Sequence, residues 1–158
     1  MTTVKRTIPQ PAGQAVGSAL QDTLVDLLGL SLIGKQVHWN VVGPRFRSVH
    51  LQVDELVTAT REAADTVAER AATLGVAPDG RPATVAAGFA LPGPEAGWTR
   101  DDDVVELMTE ALGAAAVRLR ERIDATENAD PVTQDLLIAI TAELEKQRWL
   151  FAAQTITS

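Results

Sequence analysis

The sequence predicts an all-α fold: a bundle of four helices with one long crossover between the second and the third. Three observations carry this expectation. Apolar residues make up 46% of the 158 residues, enough for the core of one domain. Aromatics are only 4% and tyrosine is absent, and the Ala, Leu and Val that dominate instead favour helices over a sandwich. A Gly- and Pro-rich link of about 25 residues, Val76 to Arg100, is too long for a tight turn between adjacent helices.

Taken in order, residues 1–13 read as a mobile N-terminal tail with two basic residues, Lys5 and Arg6. Residues 14–153 form the bundle and 154–158 a short C-terminal end. The first helix runs from Gln14 to about Val41, with Leu20, Leu24, Leu27, Leu28, Ser31 and Leu32 on one face. Gly17, Gly29 and Gly34 would let another backbone approach closely. Gly43-Pro44 ends that helix, and the second extends from about Phe46 to Leu74, with Gly75 as a natural stop. The crossover carries a short helix at Ala83 to Gly88. Thr99 is the expected N-cap of the third long helix, with Asp101, Asp102 and Asp103 in its first turn and its end near Thr126. Asp130 as N-cap and Pro131 at the first helical position open the last helix, which continues to about Ala153. Four helices joined this way describe a ferritin-like four-helix bundle, the long crossover carrying a short helix between helices 2 and 3.

Composition also excludes some functions. The formal net charge of −7 argues against a broad nucleic-acid-binding face, which is usually basic. With no cysteine there are no disulfides, thiolate metal sites or cysteine catalysis. The first residues have no apolar core of a secretory signal. The longest apolar run, Leu24 to Gly34, contains Asp26 and is too short to span a bilayer. A cytoplasmic protein with no membrane association is expected.

The chemistry gathers in one stretch, His38 to Glu69. It holds both histidines of the protein. On the second helix His50, Asp54, Asp65 and Glu69 fall at roughly 0°, 40°, 60° and 100°, on one face. Yet His50 and Glu69 stand roughly 28 Å apart along the helix axis, and a metal ion with ligand bonds of about 2 Å cannot reach both ends. The face is two half-sites, His50/Asp54 and Asp65/Glu69. A two-fold axis near Ala59-Thr60 would set each half-site against the other end of a partner's helix and make two identical intersubunit sites. Imidazole with carboxylate suits Fe, Mn or Zn. The spacing is not the Glu-x-x-His pattern of a site inside one bundle. The plainer alternatives stay open: histidines satisfied by hydrogen bonds, and carboxylates on a solvated surface with Asp65 or Glu69 paired to Arg61 or Arg70. Trp39 suits packing, or an oxidisable neighbour to a redox site. Asp124, Glu127, Asp130 and Asp135 read either as caps and solvated charge or as an acidic pore mouth.

Lys35-Gln36-Val37-His38-Trp39-Asn40, Gly43, Phe46, His50 and Asp54, followed by Asp65-Thr66-Val67-Ala68-Glu69-Arg70, resemble the Dps family, mini-ferritins that protect DNA in starved cells. Glu143 to Trp149 resembles the family's last-helix signature, and the likeness covers about Gly17 to Trp149. It implies a hollow homo-dodecamer that oxidises Fe(II), preferably with hydrogen peroxide, and stores ferric oxide inside. By position, His38, His50 and Asp54 of one subunit would meet Asp65 and Glu69 of its partner around iron, with Trp39 beside the site and Lys35 behind the ligands. Asp54 or Asp65 would act directly or through water. Leu51 departs from the Glu of many members, which leaves Glu55 as the mineral-nucleating candidate. The alternative function is that of a nucleoid-associated DNA-binding architectural protein. With only Lys5 and Arg6 in a short tail, DNA contact is expected to be weak.

Overall fold

The computed structural model describes residue 8 and residues 12–155. The tail bases Lys5 and Arg6 lie outside the described residues, as do residues 156–158. Among the described residues five helices and two short strands follow one another: α1 Ala12–Asn40, β1 Val41–Val42, α2 Phe46–Thr73, α3 Pro82–Gly88, β2 Thr99–Arg100, α4 Asp101–Thr126 and α5 Pro131–Ala152. The most extensive packing joins α1 to α2 and α4 to α5, and α1 against α4 joins the two hairpins. The core between them holds Leu20, Leu27, Leu30, Leu56, Met108, Leu112, Leu119, Leu137, Leu144 and Phe151, all fully buried. The all-α, ferritin-like architecture and the short crossover helix are as the sequence predicts.

α1 is long and apolar enough to cross a membrane by length and composition, but most of it is buried inside the bundle. Asp26 of this helix is buried and accepts from Arg118 Nε at 2.9 Å and Arg122 Nη2 at 2.6 Å. The close approaches at its glycines come from side chains, not from another backbone. Val76 lies against Gly17, the Phe89 ring against Gly29, and Val57 against Gly34. Phe89 follows α3, so that contact pins the crossover to α1. Leu32, expected on the buried face, is 59% exposed.

The helix ends show why the chain turns where it does. After α2, Gly75 adopts φ +79°. The Val76 amide donates to Ala71 O at 2.9 Å and the Gly75 amide to Ala72 O at 3.0 Å, the pair of bonds that closes a helix through a left-handed residue. Asp130 caps α5 by accepting from the Thr133 amide at 3.3 Å, ahead of Pro131. Thr99 does not cap α4. It pairs in β2 with Val41 of β1, and Arg100 with Val42, so the helix starts after a bridge rather than a side-chain cap.

That bridge is parallel, and it fixes the topology. The start of α4 is held beside the start of α2, so α2 and α4 run in the same direction. The crossover must therefore return along the whole bundle. Gly43, between β1 and α2, sits at φ +133°, where a Cβ would fall 2.6 Å from the Asp101 carboxyl carbon. Both the backbone and the close approach require glycine. Gly43→Ala is expected to cost about 1–3 kcal/mol from the backbone conformation alone. A lower urea midpoint at unchanged m-value would register it.

Candidate metal centre

The end of α1 and the beginning of α2 bring both histidines together. Their rings stack with centroids 3.7 Å apart at 21°. The hydrogen bonding is reciprocal: His38 Nδ1–H donates to the His50 carbonyl at 3.0 Å, and His50 Nδ1–H donates to the His38 carbonyl at 2.8 Å. A carbonyl oxygen only accepts, so both protons are assigned to Nδ1. Each Nε2 is then left with its lone pair, the orientation a metal-ligating imidazole takes when its other nitrogen is anchored. Phe46 flanks His50 at 5.1 Å between ring centroids.

Asp54 completes this end. Its Oδ1 lies 4.0 Å from His38 Nδ1, and the same oxygen accepts from Lys35 Nζ. The hydrogen bond from Lys35 holds the Asp54 carboxyl below the usual carboxylate range, helped by the Lys35 charge and opposed by partial desolvation. A cation thus already sits on the carboxylate that faces the histidines.

Clamps hold the scaffold under these groups. Asp101 is buried, and its Oδ2 accepts from the Arg45 amide at 2.5 Å. The Arg45 guanidinium also pairs with Asp102. The turn between the two histidines is therefore gripped by the first turn of α4. The sequence points to Asp101 and Asp102 only as partners of the helix dipole. No spacing signal links them to residue 45.

Asp65 and Glu69 are exposed and lie toward the other end of α2. The chain does not bring them to the histidines. Among the described residues no three His, Asp or Glu side chains come together in a way that could hold a metal ion. Asp65 lines a groove of about 580 Å³ with Leu24, Leu28, Leu32, Ala68 and Val85. The surface pairing considered for these acids is also not made. Arg70 turns to Asp130 at 2.6 Å and to Thr133 Oγ1 at 3.1 Å, and Arg61 makes no ion pair among the described residues. Asp130 is buried, so it drops out of the acidic pore-mouth group, while Asp124, Glu127 and Asp135 remain exposed. Leu51 is 46% exposed, and Glu55 is exposed one turn on. Trp39 is 63% exposed.

The family model for a ferritin-like domain matches residues 17–156. The DNA protection during starvation protein of Mycolicibacterium smegmatis is 41% identical over 87% of this chain and 75% of its own length. The chain belongs to the Dps family of ferritin-like proteins. A second relative of this Dps chain, named fine tangled pili major subunit, from Haemophilus ducreyi, is 37% identical over 89% of the chain and 75% of the relative. The structure titled as Dps from Microbacterium arborescens in the high iron form superposes with a TM-score of 0.89 at 31% identity, covering 95% of this chain and 98% of that one.

In this Dps chain the Arg70–Asp130 pair joins the end of α2 to the start of α5, one residue from Glu69. Burial pushes the Asp130 carboxyl up, but hydrogen bonds from Thr133 and Arg70 and the Arg70 charge outweigh it, so the net shift is downward. A carboxyl lowered on folding favours the folded state above the ordinary carboxylate range near pH 4. That contribution is lost as pH falls through the lowered value. Below about pH 4 the native chain is therefore expected to lose stability more steeply than Asp130→Asn, which keeps a cap but carries no charge. Chemical unfolding midpoints across that pH range measure it.

Proposed function

We infer that this Dps chain oxidises and stores iron, with Fe(II) as substrate, at sites formed between two subunits. The observation that carries the reading is the reciprocal anchoring of His38 and His50. It leaves two bare imidazole nitrogens beside Asp54, with too few ligands in one chain to hold a metal. Asp65 and Glu69 supply the missing carboxylates when an antiparallel partner presents the far end of its α2. Imidazole and carboxylate together suit iron. The high iron form of the Microbacterium arborescens relative supports the choice of metal.

Two adjacent Fe(II) ions can each pass one electron to a single hydrogen peroxide. With two protons this gives two Fe(III) and two waters, and no one-electron reduction releases hydroxyl radical. The residues hold the two ions close and leave positions open for the oxidant. Repeated around a homo-dodecameric shell, such sites feed ferric oxide to an interior whose nucleating group on α2 is Glu55. Working in the cytoplasm, the shell removes iron and peroxide. DNA is then spared without tight contact, which agrees with the net charge of −7.

Subunit mixing tests the shared site directly. Chains carrying His50→Ala and chains carrying Glu69→Ala each lose both sites of their own dimer. Randomly mixed, half of the dimers are hybrids, and one site in each hybrid is whole, so about a quarter of the wild-type sites return. The expected recovery is read as ferric absorbance after anaerobic Fe(II) loading and peroxide addition. No recovery from correctly assembled mixtures would place the two residues in one chain's site or in none.

A further inference from the structure

The exposed apolar residues of α1, Leu32 and Trp39, form a line with the partly buried Leu28 and Lys35 that the shared-site reading leaves unused. Leu28, Leu32, Lys35 and Trp39 fall at roughly 0°, 40°, 340° and 20° around the helix, so they share one face. Leu32 is 59% and Trp39 63% exposed. Lys35 on the same line bonds Asp54, so this face borders the histidine half-site. At its other end it opens into the groove of about 580 Å³ between α1, α2 and α3, whose wall carries Asp65. One surface thus holds a protruding indole at the histidine end and an apolar recess at the carboxylate end. An indole in the open leaves a large apolar area in water.

We propose that Trp39 of each subunit seats in the partner's groove between α1, α2 and α3, and that this contact sets the register in which the two half-sites meet. The proposal rests on the shared-site reading and names the contact that would align it. α1 and α2 are antiparallel, with Lys35 beside Asp54 and His38 stacked on His50, so Trp39 stands level with Val49 and His50. An axis between Ala59 and Thr60 carries that level onto Glu69 and Arg70 of the partner subunit, about 15 Å from the axis on either side, and the tilt of the Trp39 side chain toward its helix N-terminus turns the indole back toward Ala68 of the partner subunit. Ala68 lines the groove beside Asp65, with Leu24 and Val85 around it. The residue that follows His38 therefore arrives where the partner's carboxylates begin. Near the axis, Leu32 meets Leu28 of the partner subunit, which makes the line self-complementary. Small residues at Ala64 and Ala68 keep the recess open, and the flat, rigid indole loses little freedom on entering it. Trp39 acts here as a positioning residue.

The test uses the iron-free, full-length protein with Trp98→Phe and Trp149→Phe, which leaves Trp39 as the only tryptophan. In the assembled protein its emission is expected to be blue-shifted and its acrylamide quenching several-fold weaker than that of free N-acetyltryptophanamide. Ala68→Phe, which fills the recess without touching a ligand, should return the quenching to the free value and shift the protein to smaller species on size exclusion. Trp39→Ala should also lose assembly, while Trp39→Phe, which keeps a flat apolar ring, should retain it. Trp39 as quenchable as free indole in an assembly that oxidises iron would overturn the docking and leave the shared site standing. A Trp39→Ala protein that assembles like the wild type would overturn it too. A wild-type chain that elutes as a monomer and oxidises no iron would remove both readings together.

Discussion

A rigid rod of 28 residues governs the rest of this molecule. At about 1.5 Å per residue α2 keeps its two ends roughly 40 Å apart, and no loop folds one end back on the other. Residues suited to the same metal chemistry stand at both ends. The rod can therefore offer only halves, and any closing of the halves is left to symmetry. The turn before α2, the crossover after it and the groove beside it all serve to hold that rod still.

Each end of α2 is tied to the second hairpin by charge. At its beginning, Arg45 reaches Asp101 and Asp102 on α4, and the parallel bridge of β1 and β2 lies alongside. At its end, Arg70 reaches Asp130 and Thr133 at the start of α5. A buried ion pair is a costly way to gain stability, since desolvation consumes much of the attraction. It gains direction instead. A planar guanidinium donates in fixed directions, so Arg70, divided between Asp130 and Thr133, and Arg45, held at Asp102 while its amide binds Asp101, fix how each end of the rod is turned.

Much of the fold was legible in the residues because helices write themselves locally. Asp130-Pro131 opens α5 where capping chemistry says it should, and Gly75 closes α2. The gap between Val76 and Arg100 announced the crossover and its short helix. What escaped depends on contacts far apart in sequence. Thr99 looks like a cap because a hydroxyl before three aspartates usually is one. Its use in a two-residue strand depends on Val41, and no periodicity reports so short a pairing. Leu32 fits the apolar spacing of α1, but a pattern cannot say whether an apolar face meets its own bundle or stays outside. Arg70 seemed poised for its neighbouring acids because Asp130 is distant in the chain. At the candidate site, the spacing of His50, Asp54, Asp65 and Glu69 already implied two separated pairs. The mutual bonding of the two histidines could not be seen, since it passes through backbone carbonyls that any residue carries.

The ion pair of Lys35 with Asp54 bears on how subunits can meet at all. A carboxylate brought bare to a closing interface would have to shed water with nothing in return. Asp54 instead carries its counterion already attached, tethered to the neighbouring helix. On the shared-site proposal, closure and loading would thereby be separated: two subunits could close empty, and an arriving ion would exchange with an ammonium instead of filling a void. The side chain that yields would remain covalently at hand to reclaim its place once the ion had left.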